Sequence, residues 1–393
     1  MSRGPSSEPM SLIRLEGVGL SDHKALLRHW QREPCLLSQA VEAAAYQLDP
    51  DDLIDIITET TLPSRLITGA EGHDFTLRRG PFETFTPPDD GPWTVLIQAM
   101  EQLIPEFAAL RDEINWLPAW RFEDCMLSWA NTGGSVGRHV DQFSVFLVQL
   151  NGRRQWDIGP KATSQTPHVV NQPISLVAPT EPDASITTHP GDVLYIPPGV
   201  IHHGVALDAD CMTLSIGFRA PSVGELFESL LETLDETAEQ HRFEDANRPF
   251  CQQAAEITAE DVQRVRQVMI DQLEDDQRLA QILAERVTTP YLEIDASDKL
   301  TDSDVTALIE QTPEFELDCG VRVAYFESTL YINGECCGQD IPLELVELAN
   351  QRRIQRQQIE ALSPHWRTVL FELIQDEHLI PAEDPSPTDR LGN

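Results

Sequence analysis

Two short segments restrict what this 393-residue chain can fold into more than any other feature of it. The first is Gly133-x5-His139-Val140-Asp141, and the second is Gly191-x5-Pro197-x-Gly199-x2-His202, with sixty residues between Asp141 and His202. Side chains two apart on a strand share a face, so an extended 139–141 points His139 and Asp141 the same way. His202 follows a Pro-x-Gly turn and adds a second ring nitrogen. Two imidazoles and one carboxylate on one side of a metal form the facial triad of non-haem Fe(II) oxygenases, with positions left open for substrates. Donors this far apart meet only if the chain folds back repeatedly. Asp124–Trp129, Phe143–Leu150, Trp156–Ile158, Asp192–Ile196 and Met212–Phe218 are short apolar or alternating runs broken by Gly, Pro and Asn. They predict an all-β sandwich or barrel over about 120–220. No βαβ alternation, GxGxxG or GxxxxGK[ST] occurs. The competing reading, a barrel with a core histidine and a surface aspartate, leaves the pairing of the two segments unexplained.

Helices are predicted on both sides of the barrel. Ser21–Trp30, with Ser21 as N-cap, and Asp49–Glu59 read as helices, and Trp93–Ile114 carries apolar residues at helical spacing. Residues 221–286 read as helical. Leu226, Leu230 and Leu234 recur every fourth position beside Phe227 and Leu231. Thr258-x-x-Asp261 resembles a capping box opening a helix with Val262, Val265, Met269 and Leu273 on one face. Such faces suit a linker or a homodimer interface, and the interface is the favoured expectation. Residues 287–380 run helix (capped by Thr301), hairpin (Val321–Phe326 and Thr329–Ile332), then helices over Pro342–Gln358 and His365–Glu377, the order of a winged-helix-like module. Residues 381–393 are Pro- and Asp-rich and expected to be disordered.

Charge narrows the partners. Lys and Arg total 28 against 65 Asp and Glu, a formal net charge of −37. That opposes binding driven by phosphate counterion release and docking on anionic membranes. Residues 286–393 hold 8 basic and 21 acidic side chains, which argues against DNA as the partner of the C-terminal module. A basic protein partner fits, and so does adaptation to a salty interior. No apolar run reaches the ~18 residues of a membrane span and no signal-peptide core is evident. Seven cysteines without metal spacing suggest free thiols and a cytoplasmic setting.

The two segments resemble the paired cupin motifs, with one departure. A typical metal cupin has His-x-His followed by a Glu ligand. Here Asp141 replaces the second His, the Glu position falls near Val145, and Gly152 is in place. The chain therefore resembles the three-ligand, JmjC-type double-stranded β-helix, which uses Fe(II), 2-oxoglutarate and O2. The far carboxylate of 2-oxoglutarate needs a buried cation or several donors. Arg153 and Arg154 project oppositely on the strand after the metal pair, so only one of them can enter the barrel, the alternative being that both are surface charges. JmjC hydroxylases carry a basic residue fifteen positions after the first ligand His, which selects Arg154. Ser128 matches a family serine that contacts the co-substrate. The Pro-x-Gly-x-x-His spacing selects His202 over His203, and His189 reads as a surface residue.

More text matches: Arg28-His29-Trp30-Gln31-Arg32-Glu33-Pro34, Trp93-x-x-Leu96-Ile97-Gln98-Ala99, Glu123-Asp124-x-Met126, Gly137-x-His139-x-Asp141-Gln142-x-x-Val145-Phe146, Gly191-Asp192-Val193-Leu194-Tyr195-Ile196-Pro197-Pro198-Gly199 and Gly217-Phe218-Arg219-Ala220-Pro221. With these the chain resembles the bacterial ribosomal oxygenases. The resemblance implies an α+β chain: a catalytic domain over 1–220, a helical dimerisation region over 221–286, and a winged-helix-like domain over 287–380. It further implies hydroxylation of an arginine of a large-subunit ribosomal protein, with oxidative decarboxylation of 2-oxoglutarate to succinate and CO2. Asp124 reads either as the carboxylate that holds a target guanidinium or, equally, as an exposed strand acid. Asn131-Thr132-Gly133-Gly134-Ser135 departs from the family's glycine run on the substrate side. The alternatives are a histidine, methyl-lysine or small-molecule substrate, or a non-catalytic cupin binding module.

Overall fold

Strands carry the first 220 residues, and the reason is visible in Ser144–Asn151. In this run Val145 and Leu147 pack into one apolar cluster, while Phe146, Val148 and Leu150 pack into another on the opposite face. A strand covered on both sides reads as a continuous apolar stretch. The computed structural model describes residues 11–46, 48–72, 74–233, 244, 253, 255–290 and 299–382. It divides into two compact units, Met1–Ala220 and Pro221–Asn393.

The first unit is built on two facing sheets, with a two-stranded ribbon of His168–Val169 and Leu176–Val177 in addition. The larger has nine strands in the order Ile13–Glu16, Cys35–Ser38, Val193–Ile196, Ser144–Asn151, Cys211–Phe218, Phe122–Ala130, Trp93–Ile97, Ser64–Thr68 and Thr76–Arg79. The smaller runs Ala184–Thr188, Arg154–Lys161, Val200–Ala206 and His139–Val140. From 139 to 218 the chain repeatedly crosses from one sheet to the other, which is the expected double-stranded β-helix. Gly152, at φ +62°, turns one such crossing. Helices Pro50–Glu59 and Pro105–Asp112 cover the outer face of the large sheet, with Ile57, Phe107 and Leu110 in its core.

Three helix expectations are corrected. Trp93–Ile114 is not one helix. Trp93–Ile97 is an inner strand, buried throughout, between Phe122–Ala130 and Ser64–Thr68. Its uninterrupted apolar residues fit a helical template as readily as a two-faced strand. Ala99 then turns through φ +55°, and Pro105 opens the true helix. Within Ser21–Trp30 only His23–Leu26 is helical, with Asp22 rather than Ser21 at the N-cap. Pro342–Gln358 breaks at Arg352, φ +62°, into Leu343–Gln351, a strand Arg353–Gln355 and a helix Arg356–Ala361.

In the second unit, Thr258 caps Ala259–Asp271 and Thr301 caps Asp302–Gln311, both as expected. The hairpin Val323–Phe326 and Thr329–Ile332 gains a third strand, Glu335–Gly338. A second three-stranded sheet joins Arg353–Gln355, Glu314–Leu317 and Leu379–Pro381. Leu234 and the tail beyond Ala382 lie outside the described residues. No helix among the described residues is long and apolar enough to cross a membrane.

One buried acid couples this fold to pH. Glu101 lies beneath the large sheet and accepts the Cys125 N–H at 2.8 Å. Burial pushes its pKa up to about 7, against the lowering effect of that backbone bond. An acid with a raised folded-state pKa stabilises fully below its unfolded value near 4.5 and loses that contribution as pH rises through 7. At 1.36 kcal/mol per unit the change is about 3 kcal/mol. Glu101→Gln keeps an acceptor for Cys125. We expect it to raise stability at pH 8 by about 2–3 kcal/mol and to flatten the pH 4.5–7 slope in urea melts. An unchanged slope refutes the assignment.

Candidate active site

His139 and His202 lie directly opposite each other on adjacent antiparallel strands, so their side chains share a face of the small sheet. Asp141 follows the first of these strands, and its carbonyl is held by the Gly199 N–H at 2.8 Å. The Pro-Gly turn thus fixes both halves of the cluster. His139 Nδ1 donates to Gly137 O at 2.9 Å, and His202 Nδ1 donates to Val200 O at 3.0 Å. A carbonyl only accepts, so Nδ1 carries the hydrogen in each neutral ring and Nε2 keeps the lone pair. Those Nε2 atoms lie 3.8 and 3.5 Å from Asp141 Oδ2. Burial, reinforced by His139, lowers the pKa of His202 and keeps it neutral.

Among the described residues this is the group able to hold a metal, with its three ligand atoms within 4.8 Å of one another. Metal bonds of about 2.0–2.2 Å place neighbouring ligands about 3 Å apart and opposite ones about 4.3 Å apart, so the 3.8 and 3.5 Å pairs involving Asp141 lie within the span of one ion and need to close by less than about 1 Å to hold it from one side. Two oriented ring nitrogens and one carboxylate, all on one side, are the donor set of a facial triad.

Arg154 is 3% exposed and on the inner face of its strand, whereas Arg153 faces solvent and pairs with Asp208 at 2.9 Å. The Arg154 Nη2 donates to Ser128 Oγ at 3.3 Å, and Ser128 Oγ donates to Thr213 O. No carboxylate among the described residues forms an ion pair with Arg154, and its buried Nε has no hydrogen-bond partner. The buried Trp156 Nε1, two residues on, is likewise unpartnered. Its ring lies against Gly204, where a Cβ would come within 2.6 Å of it. A buried, uncompensated guanidinium is costly, and an incoming anion removes that cost. The interior therefore suits an acid whose other end chelates a metal.

Sequence reasoning missed Gln149. It is fully buried, accepts from Thr188 and Thr213 hydroxyls, and donates to backbone carbonyls of Asn151, Gly152 and Met212. The available signal was an amide at position 149 set between the apolar Val148 and Leu150. Asp124 is buried, takes a bond from Gln98 Nε2 at 3.3 Å, and stands four residues from Ser128 on the same face. His203 points away from the cluster, toward Glu71 at 3.5 Å. His189 is exposed beside Asp192.

Comparison with known proteins agrees with this geometry. Residues 109–226 match the model of the JmjC domain. The chain is 30% identical over 314 residues to the ribosomal protein uL16 3-hydroxylase of Escherichia coli K12, covering 79% of this chain and 83% of that protein. It is also 30% identical over 322 residues to a probable ribosomal oxygenase of Haemophilus influenzae, covering 78% and 80%. The E. coli protein YcfD superposes with a TM-score of 0.78 at 27% identity, covering 91% of this chain and 97% of YcfD. Its complex with cobalt and 2-oxoglutarate gives a TM-score of 0.74 at 26% identity, with the same coverage. This chain belongs to the JmjC-type ribosomal oxygenase family.

Proposed function

We propose that this oxygenase hydroxylates an arginine side chain of the large-subunit ribosomal protein uL16 in the cytoplasm, using Fe(II), 2-oxoglutarate and O2. The observation that carries the reaction class is the coexistence, inside one β-helix, of three convergent metal donors and a buried guanidinium with no acidic partner among the described residues. The names of the relatives carry the substrate. In this reading His139, Asp141 and His202 hold the iron. Bound there, iron supplies the O2 activation and 2-oxoglutarate decarboxylation that the protein cannot perform alone. Arg154 and Ser128 take the far carboxylate of 2-oxoglutarate, which turns its keto-acid end toward the metal donors. Trp156 and Gly204 wall that end against water. Asp124 offers a carboxylate to the target guanidinium, where a bidentate pair fixes both position and orientation.

The test is mass spectrometry of uL16 from cells with and without the gene, followed by reconstitution with Fe(II), 2-oxoglutarate and purified uL16. One added oxygen on one arginine, lost with the gene, is the expected result. An unmodified uL16 under both conditions refutes the assignment.

A homodimer through residues 221–286 is part of the same proposal. Helix Ala259–Asp271 buries only Asp261, while Val262, Val265, Val268 and Met269 are 47–61% exposed. Phe227 and Leu231 are exposed on Val223–Thr233. Four apolar side chains presented by one helix are far more than a solvated helix needs. Light scattering should give the mass of two chains for the wild type and of one for Val265→Glu/Met269→Glu. A wild type that stays monomeric at high concentration excludes the dimer.

A further inference from the structure

We infer that Arg65, with Arg79 beside it, forms an anion subsite at the mouth of the active site that holds a carboxylate of the polypeptide substrate. The inference rests on the reading of the chain as a protein hydroxylase and adds a specificity element to it. The argument begins with register. Thr213 pairs with Ser128, Ser128 with Leu96, Leu96 with Arg65, and Arg65 with Arg79. Directly paired residues share a face of a sheet. The row therefore runs along the inner face of the large sheet, from the serine that contacts Arg154 to the open edge at Thr76–Arg79. With strands about 4.8 Å apart, Arg65 and Arg79 lie about 10 and 14 Å from Ser128 along that row. Arg78, of opposite parity, turns to the other face and stacks over Phe82.

The state of these arginines calls for an anion. Arg65 Nη2 lies over Met126 Sδ at 3.7 Å, and Met126 is two residues from both Asp124 and Ser128. The Arg65 Nε is buried without a hydrogen-bond partner among the described residues. Neither Arg65 nor Arg79 forms an ion pair with a carboxylate among the described residues. This is a chain with 65 acidic residues to choose from. Two like charges paired across strands repel each other. A fold that gained only stability from this row would place an acid opposite Arg65. The sequence places a second arginine there instead, which stabilises a negative group arriving from outside. The net charge of −37 disfavours RNA as that group. A side-chain carboxylate on the bound substrate fits the arginine forks. An extended peptide advances about 3.3 Å per residue, so a span of about 10–14 Å is about three to four residues, and the reach of the arginine side chains widens the window for the acid to about three to six residues from the modified one.

The test uses full-length enzyme and full-length uL16. Arg65→Gln should raise KM for uL16 about tenfold or more with kcat retained, as expected for removing one side of a charge pair. Arg65→Lys should recover part of the loss, since a point charge remains without the fork. Arg79→Gln, at an exposed position that cannot threaten folding, should raise KM by a smaller factor and leave Tm equal or higher. A merely structural role for the pair would not move KM. Changing acids within six residues of the modified site of uL16 to amides should reproduce the effect in wild-type enzyme and add nothing in Arg65→Gln. Unchanged KM for uL16, a rise confined to the KM for 2-oxoglutarate, or loss of ribosomal RNA binding in its place overturns the subsite. So does a modified site with no acid in that window. A wild type inactive on uL16 overturns the proposed function itself, and the subsite with it.

Discussion

His202→Ala and His139→Ala should each abolish Fe(II) retention and turnover, by at least about a hundred-fold. Losing only the hydrogen-bond partner of a metal ligand typically costs 10–100-fold, and losing the ligand costs more. The two rings are preset: each donates Nδ1–H to a carbonyl two residues back, so no tautomer change is needed to present Nε2. Because His202 is 2% exposed, its truncation also leaves a cavity. Asp141→Asn provides the control, since it preserves volume and removes the anionic ligand. His203→Ala should fall within about tenfold of wild type, because His203 is turned to Glu71 on the other face of the strand. Anaerobic Fe(II) titration separates the cases. If His203→Ala loses the metal while His202→Ala keeps it, the assignment of the triad fails.

What the sequence revealed depended on how local the signal was. His139 and Asp141 are one strand step apart, and His202 sits at a fixed spacing from a Pro-Gly turn. The β-helix followed from Phe143–Leu150 and its neighbours, where both faces are covered and nearly every residue is apolar. That same double burial hid Trp93–Ile97, since a continuous apolar run carries no period of two. Arg154 could be chosen over Arg153 by strand parity, and the burial of one beside the exposure of the other follows that alternation. Gln149, Trp156 and Arg65 were not legible. Their importance comes from cross-strand neighbours tens of residues away: Thr188 and Thr213 around Gln149, Gly204 against Trp156, and Arg79 opposite Arg65. Register of that kind is set by the assembled sheet, and no spacing within one segment encodes it.

Arg154→Ala should raise the 2-oxoglutarate requirement on the order of a hundred-fold or more while Fe(II) stays bound. The guanidinium lies within the interior, where its described contacts are Ser128 Oγ and the face of Trp156, 5.7 Å from the ring centre. Its Nε is left over, so the side chain is held in place yet undersatisfied. Removing one partner of a buried charge pair typically costs roughly 3–5 kcal/mol. At about 1.4 kcal/mol per decade this gives a hundred-fold or more in affinity. Arg154→Lys should recover part of the loss, keeping a charge but not the bidentate fork. Ser128→Ala should cost less, because Ser128 bonds only one arm of the guanidinium. Arg153→Ala removes an exposed pair with Asp208 and should leave 2-oxoglutarate affinity unchanged. Anaerobic titration of 2-oxoglutarate into the Fe(II)-loaded variants reads each affinity directly. Equal affinities for wild type and Arg154→Ala would place the anchor elsewhere. The unpaired guanidinium would then need another anion to explain it.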